Sequence, residues 1–130
     1  MQSSADHVDL ARRVDSVGVT GLWVAGLRAL ESQRPDAVFV DPYAGELCGS
    51  ELRNVGRLTG DVPGYDLNPL LLRTQVGDAA LMDALARGVR QAVLLGAGMD
   101  TRAYRLDLPK DLTMWEIDRS APLEYKERVL

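Results

Sequence analysis

"QAVLLGAGMD", residues 91–100, runs an apolar segment straight into a Gly-Ala-Gly bend and then an acid. Gln91 to Leu95 reads as a β-strand, and a continuous apolar run of this kind suits a central parallel strand covered on both faces. Glycine lacks Cβ, so Gly96 and Gly98 can take positive φ and let a ligand come within contact distance of the backbone. Ala97, between them, adds only a methyl group. In a doubly wound sheet, ligands bind beyond the C-terminal ends of the strands, which is where these residues fall.

The flanking segments agree with that placement. "LTMWEID", residues 112–118, reads as a second strand, and the stretch before it leaves room for a turn or two of helix ended by Pro109. A helix then starts at Ser120, with Pro122 in its first turn. Upstream, Val19, Leu22, Trp23, Gly26, Leu27 and Leu30 recur at three- and four-residue spacings. They predict an amphipathic helix over 16–32, capped by Ser16 or Asp15 and stopped by Pro35. Asp41-Pro42 signals another helix start, and Asn68-Pro69 opens a longer one. Leu72, Val76, Ala79, Ala80 and Leu85 mark the expected buried side of that helix, with Gly88 as its C-cap. Residues 54–66 are rich in glycine and turn formers and read as a loop. Residues 1–14 read as a loosely held arm that carries the lone His7. The order is helices, strand, short crossover, strand, helix, the opening βαβα of an α/β doubly wound sheet. The chain divides accordingly into an arm (1–14), a helical cap or extension (15–90) and the start of an α/β core (91–130).

Composition narrows the function further. With 130 residues the chain is one domain, long enough to bury a real core. The formal net charge of −4 argues against a nucleic-acid partner, because no basic excess exists to neutralise phosphates. No apolar run approaches the roughly 20 residues needed to cross a bilayer, so no membrane partner is expected. The polar, acid-bearing N-terminus is neither a signal nor a transit peptide, and a single cysteine fits a reducing cytoplasm. Cys48 reads as a small buried hydrophobe, and no His or Cys lies near it at ligand spacing, so no metal site is expected.

Asp118 lies twenty residues after Gly98, at the end of the second strand. A carboxylate there can accept hydrogen bonds from both ribose hydroxyls of an adenosine cofactor. Glu116, two positions earlier, faces the same side of the strand and is the alternative ribose acceptor. Asp118 is favoured because it stands nearer the strand end. The third glycine of the dinucleotide fingerprint is missing, and Thr101 occupies its position. That glycine allows close helix packing beneath a pyrophosphate, so its loss favours S-adenosyl-L-methionine over a nicotinamide or flavin cofactor. Asp100, Thr101, Arg102 and Arg105 cluster after the bend, as cofactor contacts or as ion pairs that hold the loop. Arg105 is read as structural, and Asp100 is kept as a cofactor-binding candidate. Trp23 and Trp115 read as core, and Tyr104 as a candidate pocket residue.

"LLGAGMDTRAYRL" followed by "WEID" resembles the leucine carboxyl methyltransferase family, especially its bacterial O-methyltransferase branch. "DSVGVTGLWVAGLRALES", "FVDPYAGEL" and "LLRTQVGD" resemble three N-terminal blocks of that branch in the same order, so the resemblance spans residues 15–130. It implies a Rossmann-like class I fold and S-adenosyl-L-methionine as cofactor. It also implies that the arginine of the "LLRT" block, Arg73, binds the cofactor's carboxylate. A guanidinium fork suits that task through two parallel bonds. The same resemblance assigns the glycine turn to Gly96–Gly98 and the ribose acid to Asp118.

Members of that family are about twice as long, with a larger sheet. The chain is therefore expected to be the N-terminal part of an O-methyltransferase of bacterial secondary metabolism. Its acceptor would be a carboxylate or hydroxyl of a small metabolite. Completion is expected from a missing C-terminal half or from a second copy in a homo-oligomer. No catalytic base is identifiable. A non-catalytic ligand-binding or dimerising module and a nicotinamide-dependent oxidoreductase fragment are the alternatives.

Overall fold

A computed structural model describes residues 16–51 and 69–130. The arm, Asp15, the loop at 54–66 and Asn68 lie outside the described residues. Helix α1 spans Ser16–Glu31 and α2 spans Ala44–Cys48, the latter continued by a 3-10 turn at Gly49–Glu51. Helix α3 covers Pro69–Ala86 and leads to strand β1, Gln91–Leu95. A single turn, α4 (Arg102–Arg105), precedes β2 (Thr113–Ile117), and α5 (Ser120–Val129) follows. The result is a mixed helix and strand fold with one two-stranded parallel sheet. Gln91 lies opposite Thr113 and Leu95 opposite Ile117. None of the described helices is long and apolar enough to cross a membrane.

Local chemistry accounts for the element ends. Asp41 Oδ1 accepts from the backbone amides of Tyr43 and Ala44, each at 3.1 Å, and so caps α2 from three residues before its first helical residue. Gly88 ends α3 at φ 95°. Its amide donates to the Leu85 carbonyl at 3.0 Å and that of Val89 to the Ala84 carbonyl at 3.1 Å, the paired bonds of a Schellman motif.

One core cluster holds Leu22 and Ala25 of α1, Leu47 and Cys48 of α2, Met99 of the glycine bend and Tyr125 of α5. A second joins Leu27 to Leu71, with Leu30, Phe39 and Leu70 packed against them. The first cluster matters most for the site. Met99 is an anchor driven into the core at the far end of the bend, so hydrophobic burial holds the loop against α1.

Three expectations from the sequence are corrected. Trp23 and Trp115 are 40% and 46% exposed rather than core. Leu22, Ala25 and Ala29 form the buried side of α1, and Trp23 lies about 100° round the helix from Leu22. On α3, Leu72, Val76, Ala79 and Ala80 are exposed, while Leu71, Thr74 and Leu85 are buried. The helix is turned so that Gly77 and Asp78 meet the arginines of α4. A Cβ at Gly77 would fall onto Nη2 of Arg102 and 3.0 Å from its Cζ. In this orientation Asp78 pairs with Arg102 and Arg105, while Leu71 packs against Leu27 of α1. Finally, β1 is covered on one face only: Val93 and Leu95 are exposed, and Trp115 and Ile117 continue that open face on β2.

Tyr125 ties α5 to α2, its hydroxyl donating to the Leu47 carbonyl at 2.8 Å. Burial, with Cys48 nearby, pushes its phenol up to about 12. The folded-state value exceeds that of the unfolded chain, so the stabilising effect of the neutral phenol is complete below about pH 10 and is lost as pH rises through about 12. The urea midpoint should fall across that window, by up to roughly 2–3 kcal/mol of stability from this group. Tyr125→Phe should remove this component of the fall while costing about 1 kcal/mol at neutral pH.

Candidate functional site

The bend between β1 and α4 is built on two left-handed glycines, Gly96 at φ 64° and Gly98 at φ 40°. A Cβ at Gly96 would meet nothing within 4 Å, so its bareness serves the backbone angle and leaves the surface of the bend clear. The amides of Gly96 and Ala97 both donate to the Ile117 carbonyl, at 2.8 and 3.2 Å, and this closes the bend onto the end of β2. Ala97 is itself buried.

Asp118 then reaches across from β2. Its Oδ2 accepts from the Gly98 amide at 2.7 Å and its Oδ1 from the Arg119 amide at 2.7 Å. Each carboxylate oxygen has two lone pairs, so each keeps acceptor capacity beyond these bonds. Glu116 does not join it: its Oε1 lies 2.8 Å from Nζ of the buried Lys126. The two acids that sequence position leaves as alternatives are thus separated by their partners.

A cavity of about 820 Å³ opens beside the bend. Gly96, Ala97, Gly98, Asp100 and Asp118 line it, and so does Arg73 from α3. Arg73 is exposed, Asp118 half-buried. Glu116 and Tyr104 are not among the lining residues. Tyr104 instead sits edge-on to Tyr43, with ring centroids 6.1 Å apart. Burial, with Glu116 and Glu127 adding repulsion, raises its phenol above the ordinary value.

The wall of the cavity is held by a chain of alternating charges. Arg28 Nε donates to Asp41 Oδ2 at 2.8 Å, and Arg105 Nε lies 3.8 Å from the same oxygen. Arg105 Nη2 in turn donates to Asp78 at 2.7 Å. Asp78 also accepts from Arg102 Nε at 2.8 Å, and Arg102 Nη1 pairs with Asp100. Three arginines and three aspartates therefore balance, linking α1, the α2 cap, α3, α4 and the bend. Thr101, in the place of a third glycine, donates its hydroxyl to Asp41 Oδ2 at 2.6 Å and is 1% exposed.

Sequence reasoning took Asp41 only for a helix cap, and passed over Arg28, Asp78 and Met99 altogether. An arginine on the buried side of α1, between Ala25 and Ala29, is the one local sign that was available for Arg28. Asp41 is joined to Thr101 across sixty residues, a pairing that no local pattern encodes.

Among the described residues, a parallel strand pair, a left-handed glycine bend and a strand-end acid open on one cavity and define an α/β protein with a composite site there. Comparison with known proteins makes this more specific. Residues 21–130 match the leucine carboxyl methyltransferase family, and the chain belongs to it. One relative, from Mycolicibacterium paratuberculosis, is 41% identical over 145 aligned positions, covering 100% of this chain and 46% of the relative. Another from Mycobacterium tuberculosis is 42% identical across 88% of this chain and 39% of its own length. A third, from Streptomyces coelicolor, is 42% identical across 97% of this chain and 46% of its own length. The first two carry the name "Putative S-adenosyl-L-methionine-dependent methyltransferase", and the third the same name with a locus tag. The chain thus spans less than half the length of these relatives.

Asp41→Asn should cost about 3–5 kcal/mol, because it leaves the buried Arg28 and Arg105 without their shared counter-charge. Chemical denaturation reads the loss directly. A change below about 1 kcal/mol, the range of an exposed pair, would mean that the chain of charges does not hold the wall.

Proposed function

We propose that this chain forms the cofactor-binding part of an S-adenosyl-L-methionine-dependent O-methyltransferase with a Rossmann-like core. One observation carries the reading: Gly96–Gly98, Asp118 and Arg73, from three separate elements, line the same cavity. The chemistry of the residues fits the cofactor. Arg73 offers a cation to an amino-acid carboxylate, and the remaining lone pairs of Asp118 suit two ribose hydroxyls. The glycine bend admits a ligand against its backbone. Thr101, committed to Asp41, keeps the third glycine position filled, which disfavours a dinucleotide pyrophosphate.

When bound, the cofactor supplies an electrophilic methyl group on a sulfonium. The residues of this chain bind and orient; positioning of this kind supplies much of the acceleration of an in-line displacement. A small-metabolite carboxylate is the favoured acceptor, since it is already ionised at neutral pH and needs no general base, whereas a hydroxyl does. The acceptor side of the site belongs to the whole enzyme.

Titration calorimetry with S-adenosylhomocysteine and, separately, NADH tests the assignment. The first should bind and the second should not. Arg73→Ala and Asp118→Ala should each weaken S-adenosylhomocysteine by about tenfold or more, as expected for charge-assisted hydrogen bonds. Unchanged affinity in folded forms of both variants would overturn the assignment.

A further inference from the structure

Lys126 is 1% exposed, and a buried ammonium needs a reason. It lies on α5, away from the cavity lining, and makes two contacts. Nζ donates to Glu116 Oε1 at 2.8 Å and to the Asp100 carbonyl at 3.1 Å. The second contact reaches the exit of the glycine bend. There the preceding carbonyl, Met99, accepts from Nη2 of Arg28, another buried cation. Two successive peptide planes are therefore held by cations that come from α1 and α5. The Asp100 amide is held as well, donating to the Ala97 carbonyl at 2.7 Å.

These constraints converge on Asp100, whose side chain stands in the cavity wall and pairs with Arg102. With the peptide planes on either side of it fixed, only side-chain rotation is left to its carboxylate. The same ammonium engages Glu116, the second acid on the Asp118 side of β2. A buried ion pair gives little net stability compared with apolar residues of the same shape, so stability alone does not account for this one.

We propose that Lys126 is a positioning residue for the cofactor site, with Glu116 as its counter-charge. It fixes the Asp100 peptide, and through it the bend at Gly98. It also engages Glu116, which leaves Asp118 as the strand-end acid presented to the ribose. The proposal rests on the functional reading above, and its test separates the two.

The informative variant is Lys126→Met/Glu116→Leu, which replaces the pair by apolar residues of similar shape. Lys126→Met alone should lower the urea midpoint, since it leaves the half-buried Glu116 without its cation, and the double variant should recover it. A positioning role requires that affinity not recover with stability. S-adenosylhomocysteine should stay about tenfold weaker in the double variant, the worth of one well-placed hydrogen bond. Backbone hydrogen exchange at residues 98–101 should quicken by a similar factor of about ten, with β1 unchanged. Recovery of both stability and affinity would make Lys126 merely structural and overturn the proposal. Should wild-type protein fail to bind S-adenosylhomocysteine while exchange in the bend still responds, the functional reading falls and the clamp stands. Unchanged exchange removes the clamp itself. If the double variant does not fold, nitrogen-15 spectra of the wild-type Lys126 ammonium replace it. S-adenosylhomocysteine should slow exchange of its protons together with the amides of the bend, and ammonium protons that ignore the ligand would overturn the proposal.

Discussion

The carboxylate of Asp41 is the point on which the rest of the site depends. It is 2% exposed, caps α2 with one oxygen and gathers Arg28, Thr101 and Arg105 with the other. From there the alternating charges run through Asp78 and Arg102 to Asp100. A buried charge is costly unless it is paired, and each member of this chain is tolerable only while its neighbours stay in place. Geometry follows from that mutual dependence. The pairs determine which side of α3 faces the bend, and so where Arg73 emerges one residue before the buried Thr74.

The glycine bend is a product of the same constraints. Left-handed backbone at Gly96 and Gly98 turns the chain at the end of β1, but it does not decide where the turn goes. Four attachments do: Ile117 receives the first amides, Asp118 the next, Met99 enters the core, and buried cations take the last two carbonyls. The surface left over is bare backbone beside a carboxylate and an arginine, a surface suited to binding rather than to packing.

Much of this was legible from residue order. The strand, the bend, the second strand and the acid were all recognisable because each follows from local covalent facts: apolar runs, missing Cβ atoms and a fixed strand period. The C-terminal end of α3 was equally plain, since Gly88 is a left-handed stop. What misled was the orientation of faces. Leu72 and Val76 look like a buried stripe, yet α3 is turned by its acid toward Arg102 and Arg105. Trp23 and Trp115 read as core from the apolar residues around them, yet they lie on exposed sides of α1 and β2. Glu116 and Asp118 share a strand face, so alternation could not tell them apart; Lys126 does.

Backbone chemistry, then, was written in the order of residues: where the chain extends, where it must bend and where an acid closes the next strand. The assembly of those parts was decided elsewhere. Asp41 with Thr101, Asp78 with Arg105 and Lys126 with Asp100 are contacts between distant segments. Electrostatic pairing in a low-dielectric interior is strong only once both partners have been brought there, so such partners carry no local signature. The folded molecule alone selects them.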